Sequence, residues 1–385
     1  MKRVALLIET SRTYGRDLLR GVQRYNEIHD RWSVFVEVRD LESRVPPWLS
    51  RWDGDGILVR SGSRAIAEAV RKTGVPAVEL RSASRQKNCP FVGVDNQVAG
   101  QLVARHFLER GFRHFGVYEL DTETFFIERR NSFVETIRQA GYTCSAFSQS
   151  GHSEKPSQWE RQQQRLMNWL QTLPQPTAVM ACTDQLGCWL LDACRRAKLH
   201  VPEQIAVVGV EDDETLATLS TPPLSSLRLP GRAAGYAAAE LLDRMMHGQT
   251  AEPASLLIPP TGISTRLSSD IFAVEDPQLA AALRLIREQA CSGLRVKDLL
   301  EQLPVSRSHL EREMRQLLGR SPNEQINHIR LERVKDLLRE TDFTLEEIAR
   351  QTAFTTAQYL AESFRRKYDQ SAGQYRKTSR TGVRD

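Results

Sequence analysis

The stretch Leu300-Glu-Gln-Leu-Pro-Val-Ser-Arg-Ser-His-Leu310 and the stretch Ala349-Arg-Gln-Thr-Ala-Phe-Thr-Thr-Ala-Gln-Tyr-Leu360 share one pattern and lie about fifty residues apart. Each predicts a short helix, a tight turn, a Ser or Thr that caps the next helix, and then a longer helix. This is the plan of a helix-turn-helix. A connecting helix over residues 324–339 could place two recognition helices roughly 34 Å apart, in successive major grooves of DNA.

The part of the chain before this repeat has a different pattern of predicted secondary structure. From residue 3 to about 266, short β-rich runs alternate with amphipathic helical segments. The runs that read as buried strands are Val4–Ile8, Val34–Val38, Gly56–Val59, Pro76–Leu80, Phe91–Val94, Phe115–Tyr118, Ala178–Ala181 and Ile205–Val210. Strands that are apolar throughout and alternate with helices indicate parallel, doubly wound sheets covered on both faces.

The predicted domain boundaries lie where the alternating strand and helix pattern gives way to the helical pattern. We predict a two-lobed α/β sensor domain over residues 1–266, a linker over 267–276, and an all-α double helix-turn-helix domain over 277–385. The first lobe is expected to comprise about 1–110 and 229–258, and the second about 111–228 and 259–266. The sequence leaves open whether the linker is a flexible tether or a packed hinge.

Composition narrows the class of protein. Of the 385 residues 40% are hydrophobic and 26% are charged, which is ordinary for a folded globular chain. No apolar run approaches the roughly 20 residues of a membrane span, and Val4–Ile8 reads as a first strand rather than a signal peptide. Six scattered cysteines without a C-x-x-C pair suggest neither a disulfide framework nor a zinc site. A cytoplasmic location is therefore expected.

The net charge of +5 is unevenly distributed. Residues 1–275 contain 33 Lys and Arg against 32 Asp and Glu, whereas residues 276–385 contain 20 against 16. The excess of positive charge thus lies in the helical domain, which is a weak indication of nucleic-acid binding by itself.

Polar side chains follow several of the predicted strands. Because doubly wound sheets bind ligands at the carboxyl ends of their strands, these residues predict a binding cleft. Sugars need carboxylates and guanidinium groups for their hydroxyls and an aromatic face for their C–H surface. The candidates are Arg129, Asp184, Asp95 and Glu211 or Asp212, with Arg16 as an additional donor and Tyr14 or Phe125 as the aromatic platform. For each of them the alternative is a helix cap or an ion pair between the lobes.

The helical domain resembles a known family. Residues 277–377 are similar to the DNA-binding domain of AraC-type transcription regulators, on the motifs Val305-Ser-Arg-Ser-His-Leu310, Gly319-x-Ser-Pro322, Ile329-Arg-Leu-Glu-Arg-Val334, Leu345-x-x-Ile-Ala349 and Phe354 through Tyr359-Leu-x-x-x-Phe364. The family's turn glycines are Pro304 and Ala353 here, and its second Gly-x-Ser-Pro is Asp369-Gln-Ser-Ala372. Since proline cannot adopt a positive φ, the first turn must differ from the family's glycine turn.

Residues on the predicted recognition helices are candidates for DNA contact. They are Arg307, Ser308, Glu311 and Arg312 in the first copy and Thr355, Thr356, Gln358 and Glu362 in the second. Arginine can bind guanine, glutamine can bind adenine, and glutamate can accept from cytosine. The alternative for Glu311 and Glu362 is a surface ion pair. Arg365, Arg366, Lys367, Arg376 and Lys377 are expected to contact phosphates, which adds affinity without reading sequence.

The sensor domain has its own resemblance. Residues 3–266 are similar to the sugar-binding core of LacI/GalR-type repressors and periplasmic binding proteins, on Gly111-Phe-x-His-Phe-Gly116, Arg129 with Phe133, Thr183-Asp184, Val201-Pro-x-x-Ile-Ala-Val-Val-Gly209 and Pro222-Pro-Leu-Ser-Ser226. Such a core placed ahead of an AraC-type domain resembles the family of xylose operon regulators. That resemblance implies a homodimeric, sugar-responsive activator of genes for xylose uptake and catabolism.

Enzymatic chemistry has little support in the sequence. The motifs of phosphate, zinc, acyl-transfer and dinucleotide chemistry are missing, and the eight histidines lack metal-ligand spacing. We therefore expect a protein that is not an enzyme and that binds no metal or cofactor. Its expected partners are double-stranded DNA and a sugar, and it is not expected to bind a membrane. A regulator of another pentose or hexose is one alternative. A sugar-modifying enzyme fused to a DNA-binding domain is the competing class.

Overall fold

The computed structural model describes residues 1–40, 43–81, 89–120, 124–149, 156–249, 255–271 and 276–381. The chain divides into two compact units, Met1–Asp270 and Ile271–Asp385. Among the described residues, no helix has the length and hydropathy needed to span a membrane.

The first unit is an α/β structure. Its strands are β1 (Lys2–Leu7), β2 (Trp32–Val36), β3 (Gly56–Val59), β4 (Ala77–Glu79), β5 (Phe91–Val94), β6 (His114–Leu120), β7 (Cys144–Gln149), β8 (Thr177–Ala181), β9 (Ile205–Glu211), β10 (Ser225–Arg228), β11 (Ser255–Ile258) and β12 (Gly262–Ser264). Its helices are α1 (Thr13–His29), α2 (Arg64–Thr73), α3 (Asn96–Leu108), α4 (Thr124–Gln139), α5 (Pro156–Thr172), α6 (Asp184–Arg196), α7 (Glu214–Leu219) and α8 (Gly231–Met246).

The strands form two six-stranded sheets, one in each lobe. The order is β11-β5-β4-β3-β1-β2 in the first lobe and β12-β10-β9-β8-β6-β7 in the second. All the described pairings are parallel except that of β10 with β12. The predicted doubly wound α/β class is confirmed, and the eight predicted strands are present with ends shifted by at most two residues.

Helix α3 carries the chain from the first lobe to the second. It follows β5 directly, and its Gly100 lies so close to α4 that a Cβ there would be 2.5 Å from the Arg129 carbonyl oxygen. A side chain at this position would therefore separate the two helices. The contact fixes Asn96, at the start of α3, beside Arg129 on α4, where Arg129 Nε donates to Asn96 Oδ1 over 2.7 Å.

Part of the predicted linker packs on the second lobe. The Ser268 hydroxyl, which is fully buried, donates to the Val207 carbonyl over 2.7 Å and accepts from the Ser225 amide over 2.8 Å. Residues 272–275 lie outside the described residues. Asp276, the last linker residue, caps the helix that follows by accepting from the Gln278 amide over 2.8 Å.

The second unit is helical, as predicted. Its helices are α9 (Pro277–Gln289), α10 (Val296–Gln302), α11 (Arg307–Leu318), α12 (Pro322–Glu340), α13 (Leu345–Gln351), α14 (Ala357–Tyr368) and α15 (Ala372–Thr381). Helices α10–α11 and α13–α14 are the two helix-turn-helix copies, and α12 connects them. The predicted caps are present, since Ser306 accepts from the His309 amide and Thr356 accepts from the Tyr359 amide.

The two turns are built differently, as Pro304 required. In the first copy the chain leaves α10 through Leu303 with a φ of −124°, and the Val305 amide donates to the Leu303 carbonyl over 2.8 Å. In the second copy Ala353 adopts the left-handed conformation, with a φ of 53°, and the Phe354 amide donates to the Ala349 carbonyl over 2.9 Å. Alanine thus occupies a conformation that suits glycine better.

Candidate functional site

A small buried cavity of about 30 Å³ lies where the carboxyl ends of the two sheets face each other. Its walls carry charged, amide and aromatic side chains from both lobes. Those that matter most are Tyr14, Arg60, Asn96, Phe125, Arg129 and Glu211. A volume of this size holds roughly one water molecule, so a sugar needs more room than this cavity alone provides.

Tyr14 and Arg60 form the wall from the first lobe. Tyr14 is 6% exposed, and its hydroxyl has no hydrogen-bond partner among the described residues. The Arg60 guanidinium lies 5.2 Å from the centre of the Tyr14 ring and forms a buried ion pair with Glu9. Burial raises the pKa of Tyr14 to about 12, so its O–H group remains a donor at neutral pH. An unpaired buried hydroxyl is costly, which suggests a ligand partner.

Arg129 is the main cation of the opposite wall. It is 4% exposed, and Nη1 donates to the Cys182 carbonyl over 2.8 Å while Nε donates to Asn96. These two bonds fix the guanidinium at the wall of the cavity. The Phe125 ring lies 5.1 Å from the guanidinium carbon and supplies the aromatic surface. Both residues were predicted from the sequence, and the structure brings them together.

Glu211 is the carboxylate of the cavity. It ends β9 with a φ of 127°, which is rare for a residue other than glycine. Its carboxylate makes no hydrogen bond among the described residues, and its nearest cation is Arg12, whose Nη1 lies 3.9 Å from Glu211 Oε1. Burial raises the pKa of Glu211, and the guanidinium groups of Arg12, Arg129 and Arg60 oppose that rise. Such a group is suited to accept hydrogen bonds from ligand hydroxyls.

Two of the other predicted ligands are held by the protein itself. Asp184 is fully buried, accepts from the Asp213 amide over 2.7 Å, and accepts from the Ser226 hydroxyl. Asp212 forms an ion pair with Arg266 at 2.8 Å and accepts from the Ser264 hydroxyl over 2.6 Å. The structure therefore places both carboxylates in contacts within the second lobe.

Arg16 and Asp95 lie near the cleft in contacts of their own. Arg16 donates to the Thr10 carbonyl over 2.9 Å and to the Thr13 hydroxyl over 2.8 Å. Asp95 caps α3 by accepting from the Val98 amide over 2.9 Å. It also lines a larger cavity of about 310 Å³ that shares Asn96 and Phe125 with the small one.

Three polar residues that line the cavity were not predicted as ligands, namely Arg60, Arg81 and Asn96. All three follow strands at the carboxyl edge, so the rule that selected the other candidates applied to them equally. Among the described residues, no cluster of three or more His, Cys, Asp and Glu side chains could hold a metal ion.

The predicted DNA-contacting residues of the first copy lie at the start of α11. Arg307 and Arg312 are exposed, and Arg307 Nε donates to Glu311 Oε1 over 3.1 Å. Arg312 pairs with Glu313 at 2.9 Å, and its Nη2 lies 3.1 Å from Nδ1 of His309. His309 Nε2 in turn lies 3.3 Å from Asp276, so this pair connects the recognition helix to the start of α9. Ser308 is exposed and contacts the Ser306 hydroxyl.

The second copy presents a less charged surface. Thr355, Gln358 and Glu362 are exposed, and Gln358 donates to Glu362 over 3.1 Å. Thr356 is the cap of α14. At the far end of α14, Arg365 and Arg366 are exposed, whereas Arg376 on α15 donates to the Phe343 carbonyl. The two recognition helices therefore differ in the bases their side chains could bind.

Family models match most of the chain in three parts. A XylR N-terminal domain matches residues 3–97, a periplasmic binding protein-like domain matches 104–269, and a helix-turn-helix domain matches 299–378. The xylose operon regulatory protein of Haemophilus influenzae is 29% identical over 97% of this chain and 98% of its own length. That of Escherichia coli K12 is 28% identical over 97% and 96%.

Over nearly its whole length the chain is similar to xylose operon regulators. The solved structure of the xylose-binding transcription activator xylR agrees, with a TM-score of 0.80 and 28% identity over 98% of both chains. The order of sensor and helix-turn-helix parts is thus that of these relatives, and the chain is a transcription regulator. A cellobiose complex of the regulator CelR, at 22% identity and a TM-score of 0.56, covers 70% of this chain and 85% of its own and supports the fold alone.

Proposed function

We propose that this regulator binds a pentose of the xylose type in the interlobe cavity and thereby controls the affinity of its helix-turn-helix domain for an operator. The observation that carries the proposal is a set of groups on facing walls beside the fixed guanidinium of Arg129. They are the Tyr14 hydroxyl, which is buried without a hydrogen-bond partner among the described residues, and the Glu211 carboxylate, whose ion pair with Arg12 is 3.9 Å long. Donors and an acceptor at one place match the hydroxyls of an uncharged polyol.

The proposal includes a mechanism of control. Ligand binding must favour the state of the protein that binds DNA, because a ligand with equal affinity for two states shifts neither. We place this control in a cytoplasmic homodimer joined through its sensor domains, with four helix-turn-helix copies on repeated half-sites. Its proposed output is activation of genes for xylose uptake and catabolism, since the relatives are named as xylose operon regulatory proteins and a xylose-binding transcription activator.

Two other functions are separated from this one by experiment. A different pentose or hexose would use the same cavity with another arrangement of hydroxyls. A sugar-modifying enzyme would need a residue that acts on the bound sugar, and the cavity offers a carboxylate and guanidinium groups without a recognised catalytic motif.

Calorimetric titration of the full chain with a panel of pentoses and hexoses tests the proposal. We expect xylose to bind, to bind more tightly than the other sugars, and to be recovered unchanged from the complex. Arg129→Gln should lose this binding, whereas Arg138→Gln, an exposed arginine on the same helix, should keep it. Failure of every sugar to bind, or equal binding by both variants, would exclude the cavity as the sugar site.

A further inference from the structure

A hydrogen bond between two side chains joins the lobes directly beside the cavity. The Thr13 hydroxyl, on the first residue of α1, donates to Oδ2 of Asp213 over 2.6 Å. Thr13 precedes Tyr14 in the first lobe, and Asp213 lies two residues after Glu211 in the second. The bond therefore connects the two segments that carry Tyr14 and Glu211 on the facing walls of the cavity.

Both ends of this bond are held by further contacts. In the first lobe, Arg16 donates through Nη2 to the Thr13 hydroxyl over 2.8 Å and through Nη1 to the Thr10 carbonyl over 2.9 Å. The Thr13 oxygen accepts from Arg16, so its own hydrogen is directed to Asp213. A chain of donors that ends on a carboxylate strengthens each of its bonds.

In the second lobe, Asp213 is 8% exposed and held by two hydrogen bonds. Its amide donates to Oδ2 of Asp184 over 2.7 Å, and its Oδ1 caps α7 by accepting from the Leu216 amide over 3.2 Å. Asp184 can approach this closely because residue 209 is glycine, where a Cβ would lie 2.3 Å from Asp184 Oδ1. Little freedom is left for the carboxylate to turn away from Thr13.

Arg12 adds a second, weaker connection from the same segment. Its Nη2 lies 3.5 Å from Oε1 of Gln185, and its Nη1 lies 3.9 Å from Oε1 of Glu211. Both partners belong to the second lobe. Residues 12 and 13 thus contact the second lobe at three side chains without lining the cavity themselves.

We propose that Thr13 and Asp213, supported by Arg16 and Asp184, form a clasp that holds the lobes closed and so sets the rate at which the sugar leaves. Thr13 is a positioning residue in this scheme, because it acts by keeping Tyr14 and Glu211 opposite each other. Arg16 and Asp184, predicted from the sequence as ligands, support the clasp instead. The effect on the sugar rests on the proposed function, whereas the clasp itself is present without it.

The kinetic test uses the full chain and xylose. Thr13→Val removes the hydroxyl and keeps the shape of the side chain, whereas Thr13→Ser keeps the hydroxyl. Thr73→Val is the matched control, because it removes a hydrogen bond within α2 from the Thr73 hydroxyl to the Val70 carbonyl. Loss of a hydrogen bond to a charged group predicts xylose dissociation about 10- to 100-fold faster for Thr13→Val. Thr13→Ser and Thr73→Val should match the wild type. Equal dissociation rates for Thr13→Val and wild type would overturn the proposal, as would a Thr13→Ser rate as fast as that of Thr13→Val.

A second measurement needs no sugar. Hydrogen–deuterium exchange of the Asp213 and Leu216 amides, both of which bond to carboxylates of the clasp, should be faster in Thr13→Val and unchanged in Thr73→Val. Asp213→Asn, which keeps the cap of α7, should speed dissociation of xylose less than Thr13→Val does. If wild type binds no sugar, the proposed function fails and the exchange rates alone decide on the clasp. Unchanged exchange in Thr13→Val would contradict it.

Discussion

Two neighbouring carboxylates at the end of β9 should respond in opposite ways to the loss of their charge. Glu211 has no hydrogen-bond partner among the described residues and faces the cavity, whereas Asp212 is held by Arg266 and Ser264. We predict that Glu211→Gln weakens xylose binding without weakening the fold. Asp212→Asn should weaken the fold and leave xylose binding by the folded protein intact.

The magnitudes follow from these contacts. A hydrogen bond from a sugar hydroxyl to a carboxylate contributes about 1.5–3 kcal/mol, which corresponds to roughly 10- to 100-fold in affinity for Glu211→Gln. Burial raises the pKa of Glu211, so its charged form lowers the stability of the folded protein above the ordinary pKa of a glutamate. Glutamine removes this cost. Asp212 and Arg266 are each 18% exposed, and loss of their pairing should lower the free energy of unfolding by about 1–3 kcal/mol.

The assays are calorimetric titration with xylose and urea unfolding without it, both at pH 7. Asparagine tolerates the φ of 51° at residue 212, so the backbone adds no separate cost. Glu109→Gln, an exposed glutamate that follows α3, is the control for both assays. Tight xylose binding by Glu211→Gln, or a stable Asp212→Asn that no longer binds xylose, would refute the assignment of roles to the two carboxylates.

Three further predictions concern the helices and the buried acid. Arg312→Ala should weaken binding to the operator more than binding to random DNA. Arg366→Ala should weaken binding to both equally and lower the slope of log affinity against log salt by about 1. The reverse pattern in filter binding would exchange the roles of the two arginines. Ala353→Gly should raise the free energy of unfolding by about 0.5–1 kcal/mol because it relieves a left-handed alanine. Gly319→Ala, at a φ of 66°, should lower the free energy of unfolding by about 1 kcal/mol. Changes of the opposite sign in urea unfolding would exclude backbone strain at these turns. Burial and the neighbouring Glu211 raise the pKa of Asp184 to about 8, so the folded state keeps a proton that the unfolded state loses. The free energy of unfolding should therefore fall as the pH rises from about 4 to about 8, and Asp184→Asn should flatten this dependence. The same pH dependence in wild type and variant would contradict the pKa shift.

The fold could be predicted from the sequence because its signals are local. Buried parallel strands are apolar along their whole length, and the helix-turn-helix copies carry capping residues at fixed positions, such as Ser306 and Thr356. Strand β2 and the short strands β11 and β12 are partly exposed, and β11 and β12 gave no such signal. The glycines that let helices approach closely, such as Gly100, become informative only when the partner helix is known.

The candidate site was only partly predictable because position along a strand does not fix what a side chain contacts. The sequence placed Asp184, Glu211 and Asp212 after strands at the same edge of one sheet, and they do follow β8 and β9 there. Which carboxylate faces the cavity depends on partners distant in the sequence, since Ser226 and Ser264 accompany Asp184 and Asp212 but not Glu211. Ser226 belongs to strand β10 of the same sheet. Ser264 belongs to strand β12, which the chain reaches only after it has passed through the first lobe and returned.

Operator affinity with and without xylose tests the central claim most directly. DNA selected from a random pool by the full chain in the presence of xylose would serve as the operator, with wild type and Glu211→Gln compared at one salt concentration. We predict that xylose tightens operator binding by wild type about 5- to 150-fold, as is typical of coupling between sites, and that the Glu211→Gln response requires proportionally more xylose. Xylose that binds wild type without changing its operator affinity would contradict the account.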